Sequence, residues 1–160
     1  MAAILIYMAA LGTLVVRFSS HRPKAISADE WHTVRAFEAA TIPNGSFHHR
    51  DHVRMAWLYL RLYPLNEALS RFTSALKHFA AMNGHAGLYN ETVTWAYLLL
   101  LNERLERFGR TMPWQEFVDL NPDILIWKGS VLERYYRPET IRSDFAKRVF
   151  VMPDLDSLGN

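Results

Sequence analysis

The stretch Ser46-Phe47-His48-His49-Arg50-Asp51-His52-Val53-Arg54-Met55-Ala56-Trp57-Leu58-Tyr59-Leu60 joins a polar start to a strongly apolar helical pattern. Three of the seven histidines and an aspartate lie within residues 48–52. At about 100° per residue, His49, His52, Ala56 and Tyr59 share one helical face, and His48 and His52 are one turn apart. The spacing predicts a helix with its chemistry in the first turn and its packing beyond. Some forty residues later, Tyr89-Asn90-Glu91-Thr92 opens a second apolar helix in the same manner. The two helix starts are expected to meet and form the site.

Outward from the histidine helix, helical periodicity continues in both directions. On the N-terminal side, Ser27-Ala28-Asp29-Glu30 has the pattern of a capping box. Trp31, Val34 and Phe37 then carry a helix to about Ala40. Thr41-Ile42-Pro43-Asn44-Gly45 is a turn, from which Ser46 is expected to cap the histidine helix. That helix runs until Pro64, with Arg50, Arg54 and Arg61 on its solvent side. Leu65, Ala68, Leu69, Phe72, Leu76 and Phe79 predict a third helix, closed by Asn83-Gly84. Residues 84–87 connect to a fourth, carrying Thr94, Trp95, Leu98, Leu101 and Leu105 and ending at Gly109. Its centre, residues 96–101, is apolar all round and is expected to be the most buried part of the fold. A shorter helix follows over 113–120. Another, from Asn121-Pro122, carries Ile124, Leu125, Trp127 and Leu132, and the last spans 139–149 with an extended tail at 150–153. Strand alternation is absent. The fold class is all-α, a single compact bundle-like domain of six or seven helices over 26–154, between a leader and linker at 1–25 and a frayed tail at 155–160.

Composition narrows the function classes. With 160 residues, half of them hydrophobic and 13% aromatic, the chain can bury a core and is not of the disordered type. A formal charge of +2 and no basic run longer than two residues argue against a nucleic-acid partner. The lack of cysteine excludes thiolate catalysis, disulfides and Cys-based metal sites, and fits a reducing compartment. Residues 1–16 are nearly all apolar but would span only about 24 Å as a helix, against about 30 Å of hydrocarbon. Three readings stay open: an unstructured or mis-assigned leader, a membrane anchor, or a helix packed on the domain. Each leaves a cytoplasmic domain.

The polar clusters suggest two kinds of chemistry. A metal site in a helical bundle draws His and carboxylate ligands from facing helices, and His49, His52 and Glu91 are the candidate set. Imidazole and carboxylate together suit a divalent metal such as zinc, iron or manganese, with Tyr89, Asp51 or His85 completing its surroundings. Without a metal, His49 or His52 beside Glu91 is a candidate catalytic general base acting on a small molecule. Tyr59, Tyr89, Trp57 and Trp95 would then wall a ligand pocket, with Thr94 as a donor. Plain architecture competes with both: His52 and Glu91 as a buried bonded pair, and Asp51 and Glu91 as complements to helix N-termini. The alternative function is a non-catalytic helical interaction module with an apolar face near Trp114 and Trp127, membrane-tethered if the leader inserts.

Taken together, Phe47-x-His49-x-x-His52-Val53-Arg54-x-Ala56-Trp57-x-Tyr59-Leu60, Tyr89-x-Glu91-Thr92-x-Thr94, Asn121-Pro122, Tyr135-Tyr136 and Val151-x-Pro153-Asp154 resemble a family of small uncharacterised bacterial all-helical proteins. The resemblance covers residues 31–154 and implies a shared fold and polar site, with no activity attached. In that pattern a histidine often follows the tyrosine, where this chain has Asn90.

Overall fold

The computed structural model describes residues 26–155. The leader and nearly all of the tail expected from the sequence lie outside them. The described residues form seven α-helices joined by short 3-10 turns, with no strand among them: α1 (Ala28–Glu38), α2 (His49–Leu62), α3 (Leu65–Met82), α4 (Glu91–Phe108), α5 (Trp114–Leu120), α6 (Pro138–Arg142) and α7 (Asp144–Arg148). The all-α expectation therefore holds. No helix among the described residues is long and apolar enough to cross a membrane.

Local chemistry sets the helix starts. At α1 the Ser27 amide donates to Glu30 Oε2 at 2.8 Å and the Glu30 amide to Ser27 Oγ at 3.2 Å, the reciprocal capping box. At α2 the capping position falls on His48, whose amide donates to Asp51 Oδ2 at 2.9 Å. Ser46, expected in that place, is two residues too early, and its hydroxyl bonds Pro43 O at 2.8 Å within a 3-10 turn.

The core is built around α2. Every residue from Met55 to Leu60 is buried, so this length of helix is enclosed on all sides, with α1, α3, α4 and the turn Pro122–Leu125 against it. α4, expected to be the most enclosed, keeps Leu99 at 37% exposure. Phe37 of α1 sits at the centre of an aromatic cluster. Its ring lies 5.4 Å from Phe47, 5.9 Å from Phe72 and 5.3 Å from Phe79, with the Tyr59 ring edge-on at 6.5 Å. On the far side of α2, Trp57 packs on Trp114 at 5.4 Å. Arg61, expected in solvent, lies over the Trp57 indole at 4.5 Å and donates to Arg110 O at 3.1 Å. A guanidinium stacked on an aromatic face with a carbonyl in reach has little need of bulk water.

The C-terminal third departs most from expectation. The helix predicted from Asn121 is two 3-10 turns, Pro122–Leu125 and Val131–Arg134. Gly129 between them has φ of 72°, a left-handed conformation that ends any helix. The predicted 139–149 helix breaks at Ser143, whose extended backbone separates α6 from α7 and whose Oγ accepts from the Ala146 amide at 3.1 Å. Thr92 holds this end on α4. Its hydroxyl is 2.9 Å from both Ala146 O and Val149 O, donating to one at a time, and accepts from the Val151 amide at 3.1 Å. Asp154 in turn accepts from the Arg137 amide at 2.9 Å and the Thr140 hydroxyl at 2.5 Å, closing the start of α6.

Replacing Phe37 with Ala removes the ring on which four others converge and should cost about 3–5 kcal/mol in urea unfolding. A loss below ~1 kcal/mol would mean the cluster does not carry the core.

Candidate functional site

The first turns of α2 and α4, one face of α3 and the segment 127–147 enclose a cavity of about 1090 Å³, partly open to solvent. Each helix lines it with a stripe at helical spacing. α2 contributes His49, His52, Val53 and Ala56; α3 contributes Phe72, Leu76, Phe79 and Ala80; α4 contributes Val93, Thr94 and Tyr97, continuing from Asn90 just before it. The buried members of the lining are mostly apolar (Val53, Ala56, Phe72, Phe79, Leu132) and form its floor.

His49 has a fixed tautomer. Its Nε2 lies 2.9 Å from Ile124 O. A carbonyl can only accept, so Nε2 carries the hydrogen and Nδ1 keeps a lone pair. The ring packs between Tyr97 at 5.4 Å and Trp127 at 5.2 Å. Burial lowers its pKa, opposed in part by the Ile124 bond. His52 stands edge-on to Phe47 at 4.4 Å. Burial pushes its pKa down to about 4, the neighbouring His49 pushes the same way, and Asp51 opposes. Both imidazoles are neutral at pH 7. No protein group among the described residues hydrogen-bonds the His52 ring.

The hydroxyls, by contrast, are mostly committed. Thr94 donates to Asn90 O at 2.8 Å, and Tyr136 to Val151 O at 3.0 Å. The Tyr89 phenol donates to Glu91 Oε2 at 2.9 Å; its pKa is raised, chiefly by burial and then by this bond. Tyr97 and Ser130 share one bond of 2.7 Å, while Ser130 Oγ also accepts from the Leu132 amide at 3.2 Å. Two hydroxyls sharing one bond leave one hydrogen over. Apart from its exposed charged side chains, the cavity thus offers a lone pair on His49, one donor and one acceptor on His52, and a single hydroxyl hydrogen from the Tyr97 and Ser130 pair.

The candidate residues divide sharply. His49, His52, Tyr89 and Thr94 line the cavity together, with His48 and His85 exposed at its edge. Glu91 does not join the histidines. Its Oε2 is held by Lys77 Nζ at 2.9 Å as well as by Tyr89, and the Lys77 ammonium lies 4.7 Å from the Tyr89 ring centre. Among the described residues no three His, Asp or Glu side chains come together to hold a metal ion, so the His49, His52 and Glu91 triad is not assembled. Trp57 and Tyr59 are fully buried away from the cavity, and the Tyr59 hydroxyl donates to Glu38 Oε1 at 2.9 Å. They belong to the part of α2 that α1 and α5 cover. In the region expected to carry an apolar face, Trp114 is half-buried against Trp57, while Leu120, Ile126 and Trp127 are exposed, the last beside His49. Tyr97, Ser130 and Trp127 are site residues that the sequence reading had placed elsewhere or passed over.

The chain matches no protein-family model, no curated protein and no solved structure.

The histidines make stability depend on pH. Their folded pKa values lie below the unfolded value near 6.5, so above that pH neither state binds the proton. As pH falls below it, only the unfolded chain does, and stability is lost between about 6.5 and the value of about 4 for His52. The contribution of this partly exposed ring should be on the order of 2 kcal/mol. His52→Gln should flatten that part of a urea-unfolding profile taken from pH 7 to 4. An unchanged slope would refute the neutral assignment.

Proposed function

We propose that this domain binds a small, largely apolar organic molecule in the cavity between α2, α3 and α4, with His49 and His52 as its polar contacts. The supporting observation is the division of the lining. The hydroxyls are mostly tied to protein acceptors, whereas His52 and Nδ1 of His49 have no partner among the described residues, above an apolar floor. A volume of about 1090 Å³ suits a ligand of drug-like size or a little larger. For a ligand with an exchangeable proton, His49 is built as a base. Its tautomer is set by Ile124, its Nδ1 lone pair has no partner among the described residues, and the Tyr97 ring packs against it at 5.4 Å. The reading rests on the imidazoles alone, because Glu91 is engaged by Lys77 and Tyr89. It keeps the cytoplasmic location expected from the sequence.

The neutral fluorescent probe N-phenyl-1-naphthylamine tests it. Saturable binding of one probe per chain is expected, and Val93→Phe, which fills the cavity from α4, should weaken it at least tenfold. Absence of saturable binding, or equal binding by a folded Val93→Phe protein, would refute the pocket.

A further inference from the structure

We infer that the ligand is an amphipathic anion whose charged end rests by Lys128 and Arg142 at the mouth of the cavity and whose apolar body covers the floor. This rests on the pocket proposed above and names its ligand class.

Charge and depth are sorted within the lining. Its four charged residues, Lys128, Arg142, Lys147 and Glu133, are all exposed and therefore stand at the mouth. Three are cations and one is an acid, in a chain whose 18 basic residues nearly balance its 16 acidic ones. Lys147 is partly engaged by Asp144 at 3.0 Å. Lys128 and Arg142 have no ion-pair partner among the described residues.

Both cations extend from anchored backbone. Next to Arg142, Ile141 O accepts from Asn90 Nδ2 at 2.8 Å, which ties α6 to the start of α4. Two residues beyond Lys128, Ser130 is bonded to Tyr97, with the left-handed Gly129 turning the chain between them. The cations are thus held at the entrance by residues that themselves line the cavity.

The interior favours the same orientation. A carboxylate on the floor would meet Val53, Phe72 and Phe79, where an unpaired charge is strongly disfavoured. At the mouth it keeps part of its hydration and gains attraction from the exposed guanidinium and ammonium groups of the lining. An alkyl or aromatic body, in contrast, gains by leaving water for the floor.

Isothermal titration calorimetry with octanoate, 1-octanol and octyltrimethylammonium separates charge from apolar burial. Octanoate should bind on the order of tenfold more tightly than octanol, as suits one or two partly exposed charge pairs, and the ammonium most weakly. The double variant Lys128→Glu with Arg142→Glu changes two exposed side chains. It should lose the preference for octanoate while retaining octanol, with its near-ultraviolet circular dichroism unchanged. Octanoate binding no tighter than octanol, or unaltered in the double variant, overturns the charge assignment. If none of the octyl compounds binds while the neutral naphthylamine does, that assignment falls and the pocket remains. If the naphthylamine fails too, both fall.

Discussion

The enclosure of α2 is the constraint on which the rest depends. Six consecutive buried residues, Met55 to Leu60, cover every face of a helix, so packing neighbours are required all round it. α1, α3, α4 and the turn Pro122–Leu125 supply them. Each large side chain buried there contributes on the order of 1.5–3 kcal/mol. The first turn of the same helix obeys a different rule. His49, Arg50, Asp51 and His52 cannot be sealed in apolar surroundings without partners, because desolvating unbonded polar groups is costly. The neighbouring helices close on the second half of α2 and leave a cavity beside its first turn. Core and site are consequences of one change of character along fourteen residues.

Much of this was legible in the sequence, for identifiable reasons. Periodicity located α1 to α5 within a residue or two of their ends, since Pro64, Asn83-Gly84 and Gly109 are strong local stops. Local rules failed over 121–149, where tertiary bonds decide the conformation: Asp123 is drawn to Arg104, and Thr92 collects the backbone of the last helix. His49 and His52 were recognisable because polar residues interrupt an apolar stripe. Glu91 misled because nothing local reveals that Lys77, on the long third helix, reaches it. Tyr97 was hidden in the apolar run 96–101, yet Asn90, Val93, Thr94 and Tyr97 repeat at helical spacing as clearly as His49, His52, Val53 and Ala56. Two matching stripes on helices that start side by side are the signal of a shared cavity.

Electrostatics and hydrogen bonding at the histidines point the same way. Burial disfavours the imidazolium in both rings. Their position in the first turn of α2, near the positive end of the helix dipole, adds to this. Asp51 is the acidic group opposing it at His52, and its carboxylate is partly occupied with the His48 amide. A neutral imidazole keeps both a donor and an acceptor role, which a protonated one would lose. The helix start therefore preserves the property that makes a histidine useful beside a ligand.

Which of those roles falls to which nitrogen is settled farther away. Arg104 of α4 holds Asp123 through two bonds, 2.6 and 2.8 Å, and reaches Asn121 Oδ1 at 3.2 Å. Asn121 is itself buried and donates to Phe117 O at 2.8 Å, tying the turn to α5. The turn Pro122–Leu125 is thereby clamped from two helices, and Ile124 O is presented to His49 Nε2. The ion pair is partly exposed, so its own contribution to stability is modest. Its consequence for chemistry is larger: a displaced turn would free His49 to exchange tautomers, and the lone pair facing a ligand would no longer be defined. A conventional surface-edge ion pair thus belongs to the site through the carbonyl it holds in place.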